Sequence, residues 1–193
     1  MQCPAAVRVL RAAATATLIV LRHCAIVPDG RPVGGPASRQ VRYREGVTER
    51  RLLLLNGPNL NLLGTRQPDI YGTTTLAQIE TSAGELAGQF GYSVRAVHSN
   101  SEGDLVDAIQ AARADCMGII INPAAYSHTS IAVADALAAI EIPVVEVHLS
   151  NIARREPFRH HSYVSAVADA VIAGAGPLGY QLAVRYLAER LAP

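Results

Sequence analysis

An α/β fold with a doubly wound parallel sheet is predicted for residues 51–193. Three observations point to it: short apolar runs of strand length, amphipathic stretches of helix length alternating with them, and unusual polar residues gathered where the strands end. The first element, Arg51–Leu55, is an apolar strand stopped by Asn56-Gly57-Pro58. Thr74 is placed to cap a helix over Leu76–Phe90, with Leu76, Ile79, Ala83 and Leu86 on one face and Gly91 after its end. Ser93–His98 alternates as a strand. Ser101 is placed to cap a helix over Glu102–Arg113, whose Leu105, Ala108, Ile109 and Ala112 form an apolar stripe.

Met117–Ile121 is a continuous apolar strand, and Thr129–Ile140 reads as a helix. Pro143–Val147 is a strand, Ser165–Ala170 is ambiguous, and Ala170–Ala173 is a short strand. Leu178–Leu191 closes the chain as an amphipathic helix. Strands that read apolar on both faces belong to a parallel sheet covered by helices on each side. Right-handed crossovers then favour the flavodoxin-like order 2-1-3-4-5. In such sheets a ligand sits outside the carboxyl ends of the strands, at the switch point of the strand order.

Residues 1–50 do not fit this pattern. They hold eight arginines against three acids, net +5, whereas residues 51–193 hold nine arginines against thirteen acids, net −4. An apolar run at Ala12–Leu21 is too short to span a membrane, and Pro28–Ser38 is rich in Gly and Pro. This segment is expected to be a poorly structured N-terminal extension, with the fold carried by residues 51–193. A folded part of charge −4 gives no reason to expect nucleic acid or an anionic membrane as partner.

All seventeen basic residues are arginine. Without lysine there is no side-chain Schiff base and no P-loop lysine to hold nucleotide phosphates. The three cysteines, Cys3, Cys24 and Cys116, form no zinc-ligand spacing, and Cys116 reads as a buried structural thiol. A disulfide framework is unsupported, which fits a reducing compartment. Gly174-Ala-Gly-Pro-Leu-Gly179 matches a dinucleotide fingerprint in letters only. Fourteen residues follow it, too few to close a βαβ unit, so its glycines are expected to make a tight turn into the last helix.

Three loops carry residue types with chemistry. The first, Asn56–Gly72, runs to seventeen residues and places Arg66 five residues from Tyr71. A guanidinium beside a phenol favours the phenolate, which would make a usable base; a solvated Arg and a packed Tyr is the plainer reading of that pair alone. The third loop, Ile121–Ser130, contains Asn122 and His128, and Asp135 lies one to two turns into the helix beyond. On the fourth strand Glu146 and His148 are two residues apart and share a face, so the carboxylate can fix the imidazole tautomer. Leu149 and Ser150 follow, with backbone N–H groups suited to a carboxylate, then Arg154, Arg155 and Arg159 and His160-His161-Ser162. An arginine cluster at strand ends suits an acidic or polyhydroxy ligand.

The segments NGPNLNLLGTRQPDIYG, NPAAYSHTS and EVHLSN with REPFRHHS, taken together and in this order, resemble the signature loops of the type II 3-dehydroquinate dehydratases. The resemblance covers essentially all of residues 51–193. It implies a cofactor-free, metal-free lyase that converts 3-dehydroquinate to 3-dehydroshikimate by anti elimination through an enolate, in the shikimate pathway or in quinate catabolism. It implies Tyr71 as the base, Arg66 as its electrostatic partner, His148 oriented by Glu146 as the acid, and Asn59 as the residue placing a water near the enolate. Substrate contacts are implied for Asn122, His128, Leu149, Ser150 and Arg159. Asp135 would reach a neighbouring subunit's site in a homododecamer built from four trimers, in the cytoplasm. Gln67 departs from the acid that many relatives carry after the arginine, and residues 1–50 have no family counterpart. The alternative reading is a non-catalytic flavodoxin-like binding module or receiver. A receiver wants acids at the end of the first strand and a lysine at the last, and neither is present.

Overall fold

The computed structural model describes residues 49–65 and 73–192. Five strands, β1 (Arg51–Asn56), β2 (Ser93–His98), β3 (Gly118–Asn122), β4 (Val144–His148) and β5 (Ala170–Ala173), form one sheet. Its order is β2-β1-β3-β4-β5 and every neighbouring pair is parallel, as expected from the alternation of elements. The connecting helices are α1 (Leu76–Gln89), α2 (Glu102–Asp115), α3 (Ile131–Ala138) and α4 (Leu178–Arg190).

The strand period of two sorts each apolar run between two cores. Leu52, Leu54, Ile120, Val145 and Val147 pack with α1 and α4, through Ile79, Ala83, Tyr180, Val184 and Leu187. Leu53, Leu55, Ile119, Ile121 and Val144 pack with α2 and α3, through Leu105, Ile109, Val133 and Leu137. Leu52–Leu55 are all fully buried, which is why β1 reads as an unbroken apolar run. Each such leucine contributes about 1.5–3 kcal/mol of burial free energy. β2 and β5 are the edges of the sheet, and their half-buried, alternating sequences follow from that position.

Local chemistry moves several boundaries by a residue or two. Thr75, not Thr74, caps α1: its hydroxyl accepts from Gln78 N at 3.3 Å, and Gln78 Oε1 accepts from Thr75 N at 2.9 Å. The glutamine three residues on selects between the adjacent threonines. At α2 the side chain of Ser101 makes no capping bond. Ser99 organises that turn instead, accepting from Ser101 N at 2.9 Å and donating to Asp104 at 2.7 Å. α3 begins at Ile131 because Ser130 caps Val133 N at 2.9 Å, and the preceding Ala124–His128 is a separate 3₁₀ turn. The glycine-rich segment before α4 is a tight turn, with Gly174 at φ 84° and Gly176 at φ 58°. Cys116 is buried, and burial followed by the neighbouring Asp115 charge pushes its thiol up to about 12.

Contacts of the described domain begin before β1. Glu49 pairs with Arg51 and accepts from Ser93 Oγ at 3.0 Å, and Arg50 donates to Tyr92 Oη at 2.6 Å. The expected extension, residues 1–50, lies outside the described residues apart from Glu49 and Arg50.

Candidate active site

β1 and β3 are adjacent, and the chain leaves them toward opposite sides of the sheet, so a crevice opens at their carboxyl ends. The loops after β1, β3 and β4 line a cleft there, and Asn59, Asn122, His128, His148, Leu149, Ser150 and Arg159 all border it. Arg155, Leu60, Leu63 and Ile152 complete much of its wall. Among the sequence-selected residues, Tyr71 and Arg66 lie outside the described residues, as does Gln67. Asp135 is exposed on α3 and is not part of this chain's own cleft wall.

Glu146 and His148 face the side of the sheet that carries α2 and α3. Glu146 is completely buried, and its Oε1 lies 2.8 Å from His148 Nε2. Two hydroxyls share the carboxylate: Ser162 Oγ donates to Oε1 at 2.6 Å, and Ser165 Oγ donates to Oε2. Burial alone would raise this carboxyl, but the hydrogen bonds from His148, Ser162 and Ser165 outweigh it and hold Glu146 below the ordinary carboxylate value. An ionised, saturated Glu146 accepts only, so His148 Nε2 must donate to it. Nδ1 of His148 has no hydrogen-bond partner among the described residues, and the ring borders the cleft. A buried carboxylate that fixes the tautomer and orientation of an imidazole bordering the cleft is the arrangement acid-base catalysis uses.

His128 stacks across from His148, ring centroids 6.4 Å apart and 14° from parallel. Its Nδ1 sits 2.7 Å from the His161 carbonyl oxygen, to which it donates. Burial first, then the nearby His148 and Arg159 charges, lower its basicity below the usual histidine value. His128 is therefore biased toward the neutral ring, whose Nδ1–H is spent on the His161 carbonyl and whose Nε2 is left as an acceptor. On the same wall Arg159 Nε donates to Glu156 at 2.9 Å, and Arg155 reaches Ser150 Oγ at 3.3 Å. These guanidiniums give the cleft a positive rim suited to a carboxylate or hydroxyl-bearing ligand.

The first and third loops are locked together. Gly57 N donates to the Asn122 carbonyl at 2.8 Å, and a Cβ on Gly57 would lie 2.4 Å from the Pro123 carbonyl oxygen. Asn59 adopts φ 66°, in the left-handed region that asparagine tolerates, and its N–H donates to Asn100 Oδ1 at 2.8 Å. Asn100 in turn accepts from Tyr126 Oη through its carbonyl at 2.9 Å. The second residue after β2 thus ties both loops in place.

Four participants escape sequence reading: Ser165, Asn100, Tyr180, whose hydroxyl pairs with Asn122, and Glu80, whose carboxylate pairs with Asn56. Ser162 reads from sequence only as a neighbour of the histidines. Each meets its partner across the fold, so no local spacing can reveal them; the one signal is two serines three residues apart after His160-His161. Among the described residues no cluster of three or more His, Cys, Asp or Glu could hold a metal ion, and no helix is long and apolar enough to cross a membrane.

Comparison with known proteins agrees with this geometry. The family model described as dehydroquinase class II matches residues 50–188. A 3-dehydroquinate dehydratase of Cereibacter sphaeroides is 59% identical over 134 residues, covering 69% of this chain and 91% of that protein. Catabolic 3-dehydroquinase 2 of Aspergillus flavus is 54% identical over 140 residues, 72% of this chain and 93% of that protein. The crystal structure of the type II dehydroquinase from Propionibacterium acnes superposes with TM-score 0.71 at 47% identity, covering 73% of this chain and 97% of that one. The chain belongs to the class II dehydroquinases.

Proposed function

We propose that this protein dehydrates 3-dehydroquinate to 3-dehydroshikimate by anti elimination through an enolate. The observation that carries the reading is the buried Glu146–His148 pair, 2.8 Å apart, opening on a cleft walled by the family's loops. In this reading the Tyr71 phenolate, favoured by Arg66, removes the C2 proton and leaves an enolate. Asn59 holds a water against the enolate oxygen. Collapse of the enolate forms the C=C bond and expels the C1 hydroxyl, which takes a proton from His148 and departs as water. Glu146 stabilises the imidazolium that supplies that proton. Asn122, His128, the Leu149 and Ser150 backbone and Arg159 hold the substrate carboxylate and hydroxyls. Donors held in place by the fold are how an electrostatic site favours an enolate.

The assembly proposed is a homododecamer of four trimers, in the cytoplasm, with Asp135 reaching a neighbour's cleft; its exposed place on α3 is compatible with that role. The same reaction serves aromatic amino-acid biosynthesis through the shikimate pathway and quinate breakdown, and a relative named as catabolic is among those similar to this chain. The test is a direct assay with 3-dehydroquinate in the presence of a metal chelator, following the conjugated enone product by ultraviolet absorbance. Chelator-resistant turnover is expected. No turnover from either the full chain or a chain beginning at Glu49 would remove the proposal and bring the binding-module reading forward.

A further inference from the structure

A chain of hydrogen bonds, buried except at half-buried Glu80, ends at Asn122 without touching the Glu146–His148 pair. Asn56 and Asn122 stand in register at the carboxyl ends of β1 and β3, both buried. Tyr180, in the first turn of α4, is fully buried and sets its hydroxyl between them. It donates to Asn56 Oδ1 at 2.8 Å and accepts from Asn122 Nδ2 at 2.9 Å. Asn56 Nδ2 donates to Glu80 Oε1, on α1, at 3.0 Å.

We infer that Glu80 and Tyr180 are positioning residues that fix which way the Asn122 amide faces the cleft. Donor and acceptor polarity passes along the chain from one end to the other. A carboxylate only accepts, so Asn56 must turn its NH₂ to Glu80 and its oxygen to Tyr180. The tyrosine hydroxyl has one proton and commits it to that oxygen, leaving its lone pairs to accept from Asn122. Burial pushes the Tyr180 phenol well above its ordinary value, so it stays a donor throughout the working pH range. At the far end Asn122 Oδ1 accepts from Ala124 N at 3.2 Å, which requires the same orientation. The second N–H of Asn122 is then the group the amide can offer at the cleft wall. An inverted amide would present an oxygen there instead and repel a substrate oxygen.

This role rests on the activity proposed above, so the test uses two readouts. Glu80→Gln keeps size and shape but can donate or accept, and so leaves the polarity to the single Ala124 N–H at the other end of the chain. Its KM for 3-dehydroquinate should rise roughly 3- to 10-fold, the scale of one neutral hydrogen bond, with kcat within about twofold. Asn56→Asp alone sets two carboxylates against each other and should be worse. The double variant Glu80→Gln with Asn56→Asp restores the direction. Its new amide can donate to its new carboxylate, and that carboxylate still accepts from Tyr180, so KM should return toward wild type. In parallel, side-chain amide proton exchange of Asn122 is followed by NMR on protein labelled with ¹⁵N-asparagine. Exchange should quicken about tenfold in Glu80→Gln, the same hydrogen-bond scale, and slow again in the double variant. Unchanged KM and exchange in Glu80→Gln would overturn the inference. So would a parallel loss of kcat, KM and melting temperature that the double variant fails to rescue, the mark of a merely structural role. Absence of turnover in wild type would sink the activity alone, and the exchange rates would still decide the network.

Discussion

Gly57 and Pro123 approach so closely that a methyl group on Gly57 would lie 2.4 Å from the Pro123 carbonyl oxygen. The contact is backbone on both sides, so neither partner can swing away. It brings the loop after β1 against the loop after β3 and aligns Asn59 with Asn122 on one cleft wall. Gly57→Ala must push these loops apart. We expect a loss of about 1–3 kcal/mol in stability, the usual range for overpacking, together with a raised KM. Chemical denaturation and steady-state kinetics check both, and an unperturbed variant would refute the close approach.

Glu146→Gln keeps the shape of the buried side chain and removes its charge. The amide no longer stabilises a protonated His148, and its NH₂ competes with the Ser162 and Ser165 hydroxyl protons. General acid catalysis of this type is worth roughly 10²–10⁴, so kcat should fall by at least about 10²-fold. The pH dependence follows from the depressed carboxyl. A group held below its unfolded value stabilises the fold above that value and loses the contribution as pH falls through the folded value. Acid unfolding of wild type should therefore be steeper below about 4.5, the ordinary carboxyl value, than that of Glu146→Gln. Parallel acid-unfolding curves would contradict an ionised Glu146.

His128 also has a depressed value, but in a base the neutral form is the one the fold favours. Its folded value lies below 6.5, so as pH falls through 6.5 the unfolded chain takes up a proton that the folded protein does not. Stability should decline on acidification through that window and level off once the folded histidine is also charged. A histidine NMR titration should place His128 below 6.5, and an anionic ligand in the cleft should raise its midpoint. A midpoint above 6.5 in the free protein would show that the His161 carbonyl bond outweighs burial.

These sites differ in how far they are written in local sequence. Glu146 and His148 are legible because a charged residue inside an apolar strand demands a partner, and a two-residue spacing supplies one on the same face. The strand order is legible because β1 and β3 are apolar on both faces and β2 is not. The support of the site is not legible in the same way. Ser165 sits in a segment without clear periodicity, where a 3₁₀ turn (Val164–Ala166) brings it beneath Glu146. Tyr180 reads as one more apolar position on an amphipathic helix until Asn56 and Asn122, 124 and 58 residues away, are seen to share its hydroxyl. Long-range polar pairing leaves no period behind.

Tyr71→Phe tests the base assigned by family resemblance. Removing the phenol oxygen leaves no group to take the C2 proton, while the carboxylate and hydroxyl contacts proposed for Asn122, His128, Ser150 and Arg159 remain. Turnover should be abolished with ligand affinity changed by no more than a few fold, read by calorimetric titration with 3-dehydroshikimate. Near wild-type turnover would remove Tyr71 as base. A parallel loss of affinity would make it a binding group instead.

Contacts at and just before the start of β1 tie Arg50 and Arg51 to the sheet. The carbonyl of Arg50 accepts from Ser93 N at 2.8 Å, and that of Arg51 accepts from Met117 N at 2.7 Å, so both residues extend the sheet ladder. Arg51 also reaches Asp115 at 2.9 Å, and Arg50 lies over the Tyr92 ring at 4.3 Å. A chain starting at Glu49 keeps every one of these partners and should match the full chain in kcat, KM and melting temperature. A chain starting at Leu52 loses two ladder bonds, each worth about 0.5–1.5 kcal/mol, and should be less stable by about 1–3 kcal/mol. Should the Glu49 chain fail to turn over while the full chain succeeds, residues 1–48 would carry a contribution to the site that the cleft-lining residues alone do not supply.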